Sequence, residues 1–565
     1  MEMEKKNVAI IVLVIALVAS GIGNIFLIIP YLTLVPPENV TFIRATGAGP
    51  HTLDPVNSWD SASNDVLDQI CEGLFGYNFS DLDMARVNEL AESYYWVSPT
   101  ELQVKLREGI YFHDNTTVDA NAVKWNFDRL QYFSAIPDDG NRVAPFNTTK
   151  PSEDPTGEPA SLYFLPDGRP IFNRTVVVSQ YNVSIFLNGA FAAFLDLLCF
   201  QASYIISPTS RAGIETDLIQ LYEPVIGTGP FRFVSFTSGV EVRFERWNRY
   251  WQPLAFFQYV VFALISSGTA RTNAMFAHQV DYCAGYVPAS INQLDADPTI
   301  TVDRFTERTG RTSLVYYYLG MNNEYLNVTW RRAISYALNY SYIIKNVYND
   351  LVVRANSPIA PGYASAYNAS VAAADYNLVT ARSIMQSMGF GVGFTTDAQW
   401  RAATFLSVNY SYNTDNPVRV QLSPLVTSWL DDIGIDVNDD GITWDAFLTK
   451  LYSNPDQLTL YWVGWGPDYL DPFNMLDPLF NPASTANSAQ VDDDYINDQL
   501  ALALATTDDV ARNNIYKQLQ WYLVNSQYVH CFGIHPKITA VYDSHIHGVP
   551  LNAKQDVQIY GIYRS

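Results

Sequence analysis

Between Asn7 and Val35 the chain carries no charged side chain (NVAIIVLVIALVASGIGNIFLIIPYLTLV). About 20 helical residues already span the roughly 30 Å hydrocarbon core of a bilayer, so this run is long enough to enter a membrane. A secretory signal has a shorter apolar region of about 7 to 15 residues and a small-residue cleavage site. Here only the stretch Ala16 to Gly21 offers such a site, and weakly. Residues 1–37 are therefore expected to be an uncleaved membrane anchor in preference to a cleaved signal. Lys5 and Lys6 keep the N-terminus inside by the positive-inside rule. Either way, the chain beyond this segment is exported. No later uncharged run reaches spanning length, which confines the rest of the chain to one exterior assembly. The first cysteine is Cys71, too distant to carry the lipid of a bacterial lipoprotein, so the peptide segment itself would hold the protein to the outer face of the membrane.

At 565 residues the chain exceeds one ordinary core, and domains of about 100 to 200 residues imply roughly two to four lobes. Its 34 basic and 57 acidic residues leave a net charge of -23, a field that repels phosphate backbones and excludes nucleic acid as a partner. That charge speaks first to solubility outside the cell. Cys71, Cys199, Cys283 and Cys531 are far apart with no C-x-x-C spacing, so no zinc or thioredoxin motif is encoded. The spacing leaves open one or two disulfides, or four buried thiols. Ten N-x-[ST] sequons, from Asn39 to Asn409, fit an exported glycoprotein of archaeal or eukaryotic type.

Short strand-like runs alternate with helical ones, which predicts α/β lobes. Val118 to Leu130 is a helix capped by Thr117 or Asp119, with Val123, Phe127 and Leu130 as its buried stripe. Arg174 to Leu187 groups β-branched and aromatic residues around a turn at Gln180 to Asn182, which predicts a hairpin. Helices are also expected over Val328 to Val347, Thr380 to Met388 and Pro424 to Ile433, the last followed by Gly434 and a strand from Ile435. The Pro-, Gly- and Asp-rich stretch Pro137 to Gly168 reads as an excursion between elements.

A series of blocks then falls in an order that resembles the family 5 extracellular solute-binding proteins, the oligopeptide, dipeptide and nickel binders of ABC importers. The blocks are Leu53-Asp54-Pro55, Cys71 to Phe75 (CEGLF), Lys105 to Asp114 (KLREGIYFHD), Gly227 to Phe233 (GTGPFRF) with Tyr250-Trp251, Arg331 to Asn339 (RRAISYALN), Ser357 to Gly362 and Gly464 to Pro472 (GWGPDYLDP). In "HDNTT" the family's usual turn glycine is Asn115, a residue that tolerates left-handed backbone. His278 in "FAHQVDY" is a further departure and is expected to sit in an exposed loop.

The resemblance implies a two-lobe periplasmic-binding-protein-like α/β fold of cluster C type. Lobe 1 would cover 38–320, with an inserted subdomain at about 76–198. Lobe 2 would cover 321–527, and 528–565 would return to lobe 1. It implies capture of a small ligand, foremost a peptide, and delivery to ABC permease subunits, with no cofactor and no enzymatic step. Asp468 matches the aspartate that receives a peptide's α-amino group, by a charge-assisted hydrogen bond. Trp465 would supply an apolar wall, Trp59 and Ser61 would border the ligand, and Tyr528 would lie near the returning crossover. The alternatives are an anchored exterior hydrolase and a surface-layer or adhesion glycoprotein on the same fold. No G-x-S-x-G, H-E-x-x-H or phosphate-loop motif supports the hydrolase. His545 and His547 alone do not make a metal site. Asp436 to Phe447 begins like a calcium loop but ends on Phe447 where a bidentate Glu is required, and so reads as strand and turn.

Overall fold

The structure is a computed structural model and describes residues 38–81, 84–148, 158–165, 167–506 and 508–565. The expected anchor at 1–37 lies outside the described residues. Among those described, no helix is long and apolar enough to cross a membrane.

The first strand, β1 (Thr41–Thr46), leads through Trp59 into helix α1 (Ser61–Ile70). Asp60 starts that helix by accepting from the backbone N–H groups of Ala62 and Ser63. Strands β2 (Ala91–Ser98) and β3 (Glu101–Leu106), helix α2 (Ala120–Phe133), and strands β4 (Phe172–Ser179) and β5 (Asn182–Leu187) then build a separate four-stranded sheet in the order β2-β3-β5-β4. Asp119 caps α2 as expected, and the β4–β5 hairpin turns where the sequence placed it. Asn115 adopts φ +69°, the left-handed geometry that its position in the turn required.

Strands β6 (Phe231–Thr237), β7 (Glu241–Arg246) and β8 (Tyr259–Leu264), helix α3 (Gly268–Phe276), and strands β9 (Tyr282–Cys283) and β10 (Ile300–Asp303) rejoin β1. β1 runs parallel to both β8 and β9, so three strand C-termini open at one end of this sheet. The chain then leaves it. A second sheet holds β11 (Tyr316–Met321), β12 (Val352–Arg354), β13 (Leu406–Asn413), β14 (Ile435–Ile442), β15 (Leu460–Trp465) and β16 (His530–Pro536), in the order β12-β16-β11-β15-β13-β14. Strand β17 (Ala540–Asp543) then returns to the first sheet, whose order is β10-β17-β9-β1-β8-β7-β6. The last strand of the first sheet before the crossing ends at Asp303 and the second sheet begins at Tyr316, while the second sheet's last strand ends at Pro536 and the first sheet resumes at Ala540.

Helices α4 (Val328–Ala337), α5 (Leu378–Ser387) and α6 (Pro417–Asp431) contribute to the apolar cluster on one face of the second sheet. α7 (Trp444–Tyr452) contributes Phe447, Leu448 and Leu451 to another, which runs from the four-stranded sheet to Tyr316, Tyr461 and Trp465 on the opposite face. Three expectations change. The helix from Val328 stops at Ala337 because Leu338 is extended (ψ 129°), and Asn339 caps a new short turn by accepting from Tyr342 N–H. The helix expected from Pro424 begins at Pro417, where Asn416 is the cap and Pro417 occupies the first turn, leaving Pro424 inside. The calcium-like run is extended along edge strand β14, where Asp440 pairs with Lys450 at 2.6 Å. All four cysteines are buried free thiols. His278 is partly exposed at φ +53°, between Asp543 and Thr299.

Candidate functional site

A cleft of about 580 Å³ lies between the two sheets, at the C-terminal ends of β1 and β9 on one side and beside β11, β13 and β15 on the other. Crevices at the C-terminal ends of parallel strands are the usual ligand sites of α/β sheets. Trp59, Ser61, Trp465 and Asp468 all line it. Tyr528 does not. It ends a short helix before β16 in left-handed geometry (φ 48°, ψ 46°), and its ring lies 5.9 Å from the Arg332 guanidinium.

Asp468 sits just past β15, and the residue is 8% exposed. Its Oδ1 accepts from Trp59 Nε1 at 2.9 Å, a bond that joins the two lobes, and its Oδ2 accepts from Asn474 Nδ2 at 2.8 Å. Asn474 Oδ1 in turn accepts from the Asp468 N–H at 2.7 Å, which fixes the turn. Burial pushes the Asp468 carboxyl up to about 6, while the bonds from Asn474 and Trp59 act in the opposite direction. Each carboxylate oxygen retains an unused lone pair.

Aromatic rings frame this carboxylate. Trp59 stacks on Tyr452 (5.6 Å, 11°) and meets Trp465 edge-on at 5.7 Å. Trp465 Nε1 donates to Asn474 O at 3.0 Å, and Tyr452 Oη donates to Trp59 O at 3.1 Å. Gly464 has a steric reason: a Cβ there would stand 2.2 Å from the Tyr317 ring, so only glycine lets that ring cross β15 at the cleft wall.

The sequence reading missed the cationic side of the cleft. Arg419, in the first turn of α6, is 8% exposed, donates from Nη1 to Asn413 Oδ1 and lies 5.8 Å from the Trp444 ring. It makes no ion pair with any carboxylate among the described residues, and burial lowers its pKa. Arg271 on α3 is equally unpaired, but its guanidinium is occupied by the carbonyls of Ile265, Ser266 and Gly285. The Asn416-Pro417 dipeptide was the available signal for Arg419, since it marks a helix start whose first turn must face the strand end. Trp444 and Tyr452 carried no signal, because a tryptophan on a short helix looks the same in a core as in a cleft.

Two mixed α/β lobes, closed on a lined cleft and joined by two crossings, define a ligand-capturing two-lobe binding protein. The sequence model of the bacterial extracellular solute-binding proteins, family 5, matches residues 86–487, and the chain belongs to that family. It is an extracytoplasmic solute-binding protein that serves ABC import, within a family of carriers rather than catalysts. The glutathione-binding protein GsiB of Pectobacterium atrosepticum is 25% identical over 490 residues, covering 85% of each chain, and GsiB of Escherichia coli K12 is also 25% identical over 490 residues. Among solved structures, the Helicobacter pylori periplasmic binding protein DppA in complex with the peptide STSA superposes with a TM-score of 0.78 at 21% identity, over 93% of this chain and 98% of that one. The oligopeptide-binding protein AppA of Bacillus subtilis, in complex with a nonapeptide, gives 0.78 at 17% identity over 94% and 100%.

Proposed function

We propose that the solute is a short peptide, held by its α-ammonium at Asp468 and by its carboxylate at Arg419, and delivered to ABC permease subunits. The observation that carries this reading is a zwitterionic cleft: a buried carboxylate with lone pairs to spare, and a buried guanidinium in no direct ion pair among the described residues, with Asp415 the nearby carboxylate acting on it, both lining one cavity. Burying an unpaired charge costs several kcal/mol, and a peptide's two termini would neutralise both. Trp59, Trp465 and Ser61 form the walls. The peptide- and glutathione-binding relatives support the same class of ligand.

The lobes divide accordingly, with 38–303 and the segment from 540 in lobe 1, an inserted subdomain near 76–198, and 316–536 in lobe 2. Residues 1–37 anchor the protein at the outer face of the cytoplasmic membrane. Isothermal titration of the full chain with a tripeptide, a trisaccharide and a nickel–histidine chelate tests the ligand class, and only the tripeptide is expected to bind. Asp468→Asn should weaken that binding by about ten- to a hundredfold, the worth of a charge-assisted hydrogen bond. Unchanged affinity in this variant would remove the ammonium role.

A further inference from the structure

Asp60 lines the same cleft, one residue beyond Trp59, and only one of its carboxylate oxygens is in use. Oδ1 caps α1, accepting from Ala62 N–H at 3.0 Å and Ser63 N–H at 3.1 Å, and Trp444 Nε1 from the other lobe stands 3.5 Å away. Oδ2 is buried and accepts from nothing, in a residue only 4% exposed. Capping a helix takes one oxygen, so it does not account for an acceptor kept from water at the wall of a ligand cleft.

The neighbouring cations do not compensate it. Arg44 is paired with Asp65 at 2.6 Å, and Lys554 with Asp556 at 3.1 Å. Lys554 reaches Asp468 only at its backbone carbonyl, 3.5 Å away. Asp60 makes no ion pair among the described residues. Around it stand the rings of Trp59 and Tyr452, which line the cleft and whose π faces attract cations, while the Trp444 ring already has the Arg419 guanidinium 5.8 Å from it. A carboxylate oxygen without a donor is costly inside a protein, and a ligand cation beside aromatic rings supplies both the donor and the charge.

We propose that Asp60 is a second cation subsite, on the lobe 1 wall next to Asp468, and that the peptide taken by the cleft carries a basic side chain, lysine or arginine. This rests on the peptide reading and narrows it. Asp468 holds the terminal ammonium, and Asp60 holds the side-chain one.

The test is titration of the full chain with Ala-Ala-Ala and with the three tripeptides in which one alanine is replaced by lysine. At least one lysine peptide should bind about tenfold or more tightly than Ala-Ala-Ala. In Asp60→Asn, whose amide oxygen can still cap α1, the ratio of lysine-peptide to Ala-Ala-Ala affinity should fall to near one. A purely structural role would instead weaken all four peptides in parallel and keep the ratio, which overturns the subsite. Equal affinity of all four for the unaltered protein also overturns the subsite and leaves the peptide reading standing. Binding of none overturns both.

Discussion

Asp468 holds opposing demands in one side chain. Its folded pKa, about 6, lies above the ordinary value of 3.8, so this group's contribution to stability is complete below about pH 3.8 and is lost as pH rises through 6. Ligand binding runs the other way, because only the ionised carboxylate attracts an ammonium. Affinity for a tripeptide should be full at pH 7.5 and fall as pH drops through 6, measured by titration calorimetry in buffers of equal ionic strength. Burial raises the midpoint, and the hydrogen bonds from Asn474 and then Trp59 pull it down, because each favours the ionised form. Trp59→Phe keeps a ring against Tyr452 but removes that donor, so the acid midpoint should move up. A midpoint that stays in place would separate Trp59 from the titration. Asp468 was singled out by the resemblance of its GWGPD block to the family's, and it lines the cleft. Its bond to Trp59 was not legible: that bond spans 409 positions, and no local pattern encodes a contact at that separation.

Strand β16 carries the clearest element-scale cost. His530 is buried and stacked on Tyr318 at 4.1 Å and 10°, and both of its ring nitrogens lack partners. Burial pushes it down to about 3, and His535 on the same strand to about 4, both below the unfolded value of 6.5. Their contribution is therefore intact above pH 6.5 and lost as pH falls, because the unfolded chain takes up protons that the folded chain refuses. His530→Phe should preserve the stack and remove two unsatisfied polar atoms. Thermal unfolding should then show a gain of about 1–3 kcal/mol at pH 7, and a larger one at pH 5. A gain independent of pH would mean that His530 takes up its proton as readily in the fold as in the unfolded chain, so that burial does not depress its pKa. Element boundaries show the limits of local signals. The α2 cap and the β4–β5 hairpin were readable because Asp119 and the Gln180 turn act on their immediate neighbours. The start of α6 was misplaced because Pro424 mimics a first-turn proline, although Asn416-Pro417 does that work seven residues earlier. Pro424→Ala should restore the missing N–H donor and raise the unfolding midpoint, since an interior proline costs a helix up to about 3 kcal/mol.

At the scale of the molecule, the ordered blocks made the two-lobe architecture legible, whereas the faces on which the lobes meet were not, because closure depends on side chains from both. At the cleft the lobes touch through Trp59 and Asp468, through Tyr452 Oη on the Trp59 carbonyl, and through Trp444 near Asp60, and away from it through Leu470 N–H on Tyr77 Oη, His51 beside Asp445 and the shared apolar cluster. Each of these contacts is available without a ligand, so the closed form has some stability of its own, and a ligand need supply only the remainder of the bias. Trp59 takes part in two of the cleft contacts and stands at the chain's entry into α1. Trp59→Ala removes the indole bond and the stack together while leaving the Asp60 cap and both sheets intact. The variant should therefore populate an open form. Small-angle scattering of the ligand-free variant should give a larger radius of gyration than the unaltered protein, and saturating peptide should bring the two values together. Because peptide binding must then pay for closure, its affinity should fall by the factor by which the closed population falls. If the ligand-free radius is unchanged while affinity drops, Trp59 acts as a wall of the site alone, and closure is governed elsewhere along the two crossings.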